Sequence, residues 1–127
     1  MADSPLRIEA IPGFFAVSRV QDASDINWDA PYTFAGKTDS EFSLVCREAE
    51  VPEAAHPVSR GWRLFRVAGS LDFSLTGILA RISGVLAAKS IPIFAVSTYG
   101  TDYILVKNRF FTAALRALEE AGIAVRR

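Results

Sequence analysis

The sequence predicts an α+β fold of the ferredoxin-like type in its C-terminal half, preceded by a smaller, mostly β unit. Three observations predict it. After residue 61, two amphipathic helix patterns alternate with short apolar runs in the order β-α-β-β-α-β. The N-terminal half holds strand-like runs and no helical stripe. Half of the 127 residues are hydrophobic and nine are phenylalanine, a globular composition. A chain of this length buries about two-thirds of its unfolded surface, enough for a true core. The expected division is a β-rich unit over 1–60 and a complete unit over 61–127.

The elements follow in chain order. Phe14 to Val20, Tyr32 to Gly36 and Phe42 to Arg47 read as strands. Residues 21–31 carry Asp, Ser, Asn and Pro without helical spacing, and 48–60, with two prolines and His56, read as a linker holding at most one helical turn. Trp62 to Val67 is a strand with arginines interleaved, and Gly69 to Ser74 is a turn. From Leu75 the apolar residues Ile78, Leu79, Ile82, Val85 and Leu86 form one helix stripe. Lys89 and Ser90 close that helix, and Pro92 cannot continue it. Ile91 to Ser97 and Tyr103 to Val106 are strands about the turn Tyr99-Gly100-Thr101-Asp102. Asn108 is placed to cap a second helix with the stripe Phe111, Ala114, Leu115 and Leu118. Gly122 stops it, and Ile123 to Val125 is the last strand.

Both central C-terminal strands are apolar at odd and even positions alike, whereas a sheet with one wet face alternates. The face away from the helices is therefore expected to be covered, by the N-terminal half or by a second chain. An internal echo supports a remnant duplication. Tyr32 to Asp39 before Phe42-Ser43-Leu44-Val45 parallels Phe94 to Asp102 before Tyr103-Ile104-Leu105-Val106, with Asp39 in the place that echoes Asp102.

Several function classes are disfavoured. Fourteen basic residues balance fourteen acidic ones, so net charge draws the chain neither to nucleic acid nor to an anionic membrane. No apolar run approaches the about 20 residues that span a bilayer, and Met1 to Pro5 does not read as a secretion signal. Cys46 is the single cysteine, so no intrachain disulfide forms and a cytoplasmic setting is expected. One histidine, His56, and one distant cysteine make no recognisable metal cluster and no nucleophile–base pair. No metal, no cofactor and no enzymatic activity are expected. Arg63, Arg66 and Arg81 lie near aromatics, but the stacking signature of an RNA-binding sheet is missing.

The most informative stretch runs from Val67 to Gly77. A turn that leads from a strand into a helix presents free backbone N–H groups, suited to a small anionic group. Gly69-Ser70-Leu71-Asp72-Phe73-Ser74-Leu75-Thr76-Gly77-Ile78-Leu79, followed by Ile93 to Val106 with Thr101-Asp102 in its turn, resembles the ACT-domain family. It looks most similar to small tandem-ACT proteins related to the CASTOR sensors. The resemblance covers about residues 61 to 123, and the echo near Thr38 resembles a degenerate first unit. It implies a regulatory domain that binds a small ligand, usually an amino acid. Leu71, Asp72, Phe73, Ser74, Leu75, Thr76 and Gly77 would then line one side of the pocket, with Thr101 and Asp102 on or near the other.

Each of these residues also has a plainer reading. Ser74 or Thr76 caps a helix and Gly77 permits close packing. Asp72 and Asp102 either pair with an ammonium or guanidinium or bond backbone in their own turns. Cys46 reads as a small buried hydrophobe and His56 as a surface residue. The first expectation is a non-catalytic module binding an amino acid. The alternative is a ligand-free module for protein interaction, and a homodimer or another protein partner stays open.

Overall fold

The computed structural model describes residues 6–68 and 77–127. They fall into two units, Gly13–Trp62 and a second that joins Arg63–Arg127 to the chain start through Pro12. Leu6 to Pro12, grouped by sequence with the N-terminal half, thus lies in the unit of the two helices.

In that unit the elements are the first part of β1 (Arg7–Arg19), the last part of β4 (Val58–Ala68), α1 (Ile78–Ala88), β5 (Phe94–Ser97), β6 (Asp102–Lys107), α2 (Asn108–Glu120) and β7 (Ala124–Arg126). The expected β-α-β-β-α-β order is present, with one addition. β1 lies between β7 and β4, parallel to β7 with Ile8 opposite Val125. Sequence reading starts this strand only at Phe14; Pro12 and Gly13, just before it, are residue types that usually interrupt strands. They are tolerated because Arg7 to Glu9 pair with β7 and Phe15 to Arg19 pair with β3 (Phe42–Arg47), so Pro12 falls between the two ladders.

The helices pack on one sheet face. Ile8, Phe65, Ile104 and Val106 from strands join Ile82, Leu86, Leu115 and Leu118 from α1 and α2 in one buried cluster. Alternation along a strand puts Leu64 and Leu105 on the opposite face, where both are fully buried within the single chain. Glu9 shares that face and accepts from Arg66 Nη2 at 3.1 Å and from Arg7 Nε at 3.2 Å. Burial pushes the Glu9 carboxyl up, but the two arginines outweigh it and hold it below the usual carboxylate range.

Three local expectations are corrected. Ile91 to Ile93 are not strand; β5 begins at Phe94, after Pro92, which has no N–H to give a ladder. Asn108 is the first residue of α2 and not its cap, and its Oδ1 instead accepts from Arg63 Nη1 at 3.2 Å. α1 begins at Ile78, directly after Gly77 at φ +77°, a left-handed conformation that glycine adopts freely. The close of each helix is as expected. Ser90 follows α1 at φ +59°, and Gly122 follows α2 at φ +87° with its N–H on Glu119 O. Arg81 Nη2 donates to Ala121 O at 3.1 Å, tying α1 to the end of α2.

The other unit contains the rest of β1, then β2 (Phe34–Lys37), β3 and the first part of β4, in the order β2-β3-β1-β4. Its core is Val20, Ile26, Leu44, Cys46 and Ala55. Where the second unit has helices, the described residues form only the short 3₁₀ turns Ala23–Asp25 and Glu48–Glu50. Arg47 stacks on Phe15 and Tyr32, its guanidinium 5.0 and 5.6 Å from the ring centres. Gly13, at φ +101°, lets it pass: a Cβ there would sit 2.5 Å from Arg47 Nη1.

Ser18 is 3% exposed on β1, opposite Leu44, and its hydroxyl has no hydrogen-bond partner among the described residues. Such a group costs about 1–3 kcal/mol. Ser18→Ala is therefore expected to raise the unfolding free energy by about 1 kcal/mol, read as a higher urea midpoint at unchanged slope. A lower midpoint would show that the hydroxyl is satisfied.

Candidate functional site

The candidate site lies where β4 ends and the β5–β6 hairpin turns. Val67 is fully buried on β4, in the helix-face cluster. Its carbonyl accepts from Thr101 Oγ1 at 2.5 Å. That bond holds the hairpin turn against the end of the strand that leads on to Leu71 to Gly77. Thr98 shapes the turn from inside, with its N–H on Thr101 O at 2.8 Å and its hydroxyl on the same oxygen at 3.0 Å. Asp102 opens β6, opposite Ser97, whose hydroxyl donates to Asp102 Oδ1 at 2.5 Å. The expected plain role, a bond to the turn's own backbone, is thus replaced by a side-chain partner across the ladder. The other carboxylate oxygen of Asp102 keeps acceptor capacity.

Gly77 is exposed, and a Cβ there would meet nothing within 4 Å. Its carbonyl accepts from Arg81 N at 2.8 Å, starting α1. Leu71, Asp72, Phe73, Ser74, Leu75 and Thr76 lie outside the described residues. Of the nine site residues named from sequence, the structure therefore places Gly77, Thr101 and Asp102. Sequence reading missed Ser97 and the Val67 carbonyl. Ser97 carried a signal, as a hydroxyl residue just before the turn and in register with Asp102. The carbonyl carried none, since every residue has one.

The echoed hairpin matches closely. β2 and β3 pair with Phe34 opposite Val45 and Lys37 opposite Phe42, and β5 and β6 pair with Phe94 opposite Leu105 and Ser97 opposite Asp102, each position 60 later. Thr38 N donates to Glu41 O at 2.8 Å, as Thr98 N does to Thr101 O. The residues ending the hairpins agree too, Arg47 at φ −60°, ψ 146° and Lys107 at φ −62°, ψ 145°. This register corrects one assignment. Asp39 corresponds to Tyr99 at the turn tip, and the counterpart of Asp102 is Phe42.

Residues outside the turn have ordinary roles. Cys46 is buried in the core, and burial with the nearby Glu50 charge pushes its thiol up to about 11, so it stays protonated near neutral pH. His56 is exposed. Among the described residues no group of three His, Cys, Asp or Glu is placed to hold a metal ion. Also among them, no helix is long and apolar enough to cross a membrane.

The model of the ACT domain matches residues 58–120, from the start of β4 to the end of α2. The chain belongs to the ACT-domain family. Members of that family are regulatory ligand-binding domains. The human cytosolic arginine sensor for mTORC1 subunit 1 is 30% identical over 114 residues, covering 87% of this chain and 31% of the sensor. The orangutan sensor, from Pongo abelii, matches to the same extent. This ACT chain thus spans about a third of the length of those relatives. A solved protein from Agrobacterium tumefaciens is 26% identical with a TM-score of 0.83, over 97% of this chain and 93% of that one. The aspartate kinase of Clostridium acetobutylicum shares the fold alone, at 11% identity and TM-score 0.65, over 91% of this chain and 34% of the kinase.

Proposed function

We propose that this ACT-domain chain is a cytoplasmic, non-catalytic sensor that binds an amino acid between the β4–α1 connection and the β5–β6 turn. The observation that carries this reading is the Thr101–Val67 bond, which fastens the turn to the end of β4. In it, Leu71 to Gly77 receive the carboxylate through backbone N–H groups. Asp72 and Asp102 offer carboxylates to an ammonium or guanidinium. Because two relatives are arginine sensors, L-arginine heads the ligands to try. Nucleic acid and membranes are not partners in this reading.

A thermal-shift panel of the common amino acids tests it. The true ligand at one hundred times its Kd is expected to stabilise the fold by about 2.7 kcal/mol, a rise of several degrees in Tm. No rise with any amino acid at millimolar concentration counts against sensing. One observation favours a second reading, a module for protein interaction. Tyr99, at the tip of the same turn, is 88% exposed, and exposed aromatic side chains serve as binding anchors. In that case Tyr99→Ala abolishes partner binding while amino acids leave Tm unchanged.

A further inference from the structure

The net charge of zero hides a division. Gly13–Trp62 holds eight acidic and four basic residues, a net −4, and the rest of the chain holds six acidic and ten basic, a net +4. Each unit presents part of that charge on a defined surface. In the acidic unit, Asp22, Asp25 and Asp29 are exposed along one loop. The same loop presents Trp28, 56% exposed, on a fixed backbone. Ile26 is buried in the core of that unit, Asp29 N donates to Asn27 Oδ1 at 3.1 Å, and Asn27 Nδ2 donates to Glu50 Oε1 at 2.9 Å. In the basic unit, α2 buries Ala114, Leu115, Ala117 and Leu118 and leaves Arg109, Thr112, Ala113 and Arg116 exposed. The two arginines are two helical turns apart on one face, about 10 Å, with the small Thr112 and Ala113 between them. The Arg109 guanidinium lies 4.9 Å from the centre of the Phe110 ring. Among the described residues, Asp25, Asp29, Arg109 and Arg116 have no ion-pair partner.

We infer that this face of α2 is the docking surface for the Asp25–Asp29 loop of a second copy of the chain. The two surfaces are complementary in charge and in residue type. Trp28 of one copy covers Thr112 and Ala113 of the next, and Asp25 and Asp29 pair with Arg109 and Arg116 to either side. Exposed ion pairs alone are weak. Trp28 adds the apolar burial that such pairs lack, and its ring face accepts a guanidinium. The loop and the helix belong to different units, so the contact is head-to-tail, and assembly continues copy by copy unless it closes into a ring. It needs no amino acid and goes beyond the sensor reading.

Sedimentation velocity of the full chain tests it. The wild type is expected to gain mass with rising concentration at about 20 mM salt and to be monomeric at about 0.5 M, where charges are screened within a few ångströms. Two variants follow, a loop variant with Asp25→Asn, Trp28→Ala and Asp29→Asn, and a helix variant with Arg109→Glu and Arg116→Glu. All five positions are exposed, so each variant is expected to keep the wild-type Tm. Each alone is expected to self-associate at least tenfold more weakly. Mixed in equal amounts, they are expected to form a dimer of wild-type strength that grows no further, because each pair then holds one intact loop and one intact helix face. A wild type that stays monomeric at low salt overturns the inference. So does self-association that either variant leaves unchanged, and so does a mixture that stays monomeric. Amino-acid binding is read separately, from the thermal-shift panel.

Discussion

Phe65→Ala is expected to lower the unfolding free energy by about 3–5 kcal/mol, out of a total of about 5–15 kcal/mol for a domain of this kind. Phe65 is fully buried on β4 and belongs to the cluster of Ile82, Leu86, Leu115 and Leu118, so its ring is part of the core that both helices share. Truncation loses the transfer free energy of the ring and leaves a cavity that two packed helices and a sheet cannot easily collapse into. Urea unfolding checks it, with the midpoint falling in proportion. Phe14, at 46% exposure, is the control, and Phe14→Ala is expected to cost less than about 1 kcal/mol. Equal costs at the two positions would mean that Phe65 is not the centre of the core.

That core was legible because its pattern is periodic. In α2, Ala114, Leu115 and Leu118 recur at helical spacing and are all buried, so one stripe predicted both the element and its inward face. The two-sided apolar pattern of β6 was equally direct, since Ile104, Leu105 and Val106 are all buried. What failed was local competition. Asn108 has a good capping side chain, but Arg63 offers it a charged donor. Pro12 and Gly13 are breakers by type, yet β1 passes through them because they sit between its two ladders. The echo was found from a shared Thr-Asp pair, and that pair misplaced Asp39, because register is set by strand pairing and not by dipeptides. Thr101 and Asp102 were named through the family resemblance, and the structure places both at the β5–β6 turn. Their partners were not named: a backbone carbonyl has no sequence signature, and Ser97 becomes meaningful only once its ladder position is known.

Thr101→Val is expected to separate structure from sensing at this turn. Valine keeps the branched shape and the strand preference but cannot donate to the Val67 carbonyl, which Thr101 Oγ1 now does at 2.5 Å. The lost bond is expected to cost about 1 kcal/mol of stability, a shift of a few degrees in Tm. The larger effect is on binding. With the turn no longer fastened to the end of β4, a ligand has to order it on arrival, and that ordering is subtracted from its affinity. We expect at least a tenfold weaker response to the amino acid that stabilises the wild type, about 1.4 kcal/mol in binding. Thr98→Val is the comparison. It removes a hydroxyl whose bonds among the described residues stay within the turn, donating to Thr101 O at 3.0 Å and accepting from Thr101 N at 3.4 Å, so it is expected to loosen the turn without detaching it from β4 and to weaken binding less. If Thr101→Val lowers Tm as expected but leaves the ligand response intact, the turn does not border the ligand, and binding is carried by the β4–α1 connection alone.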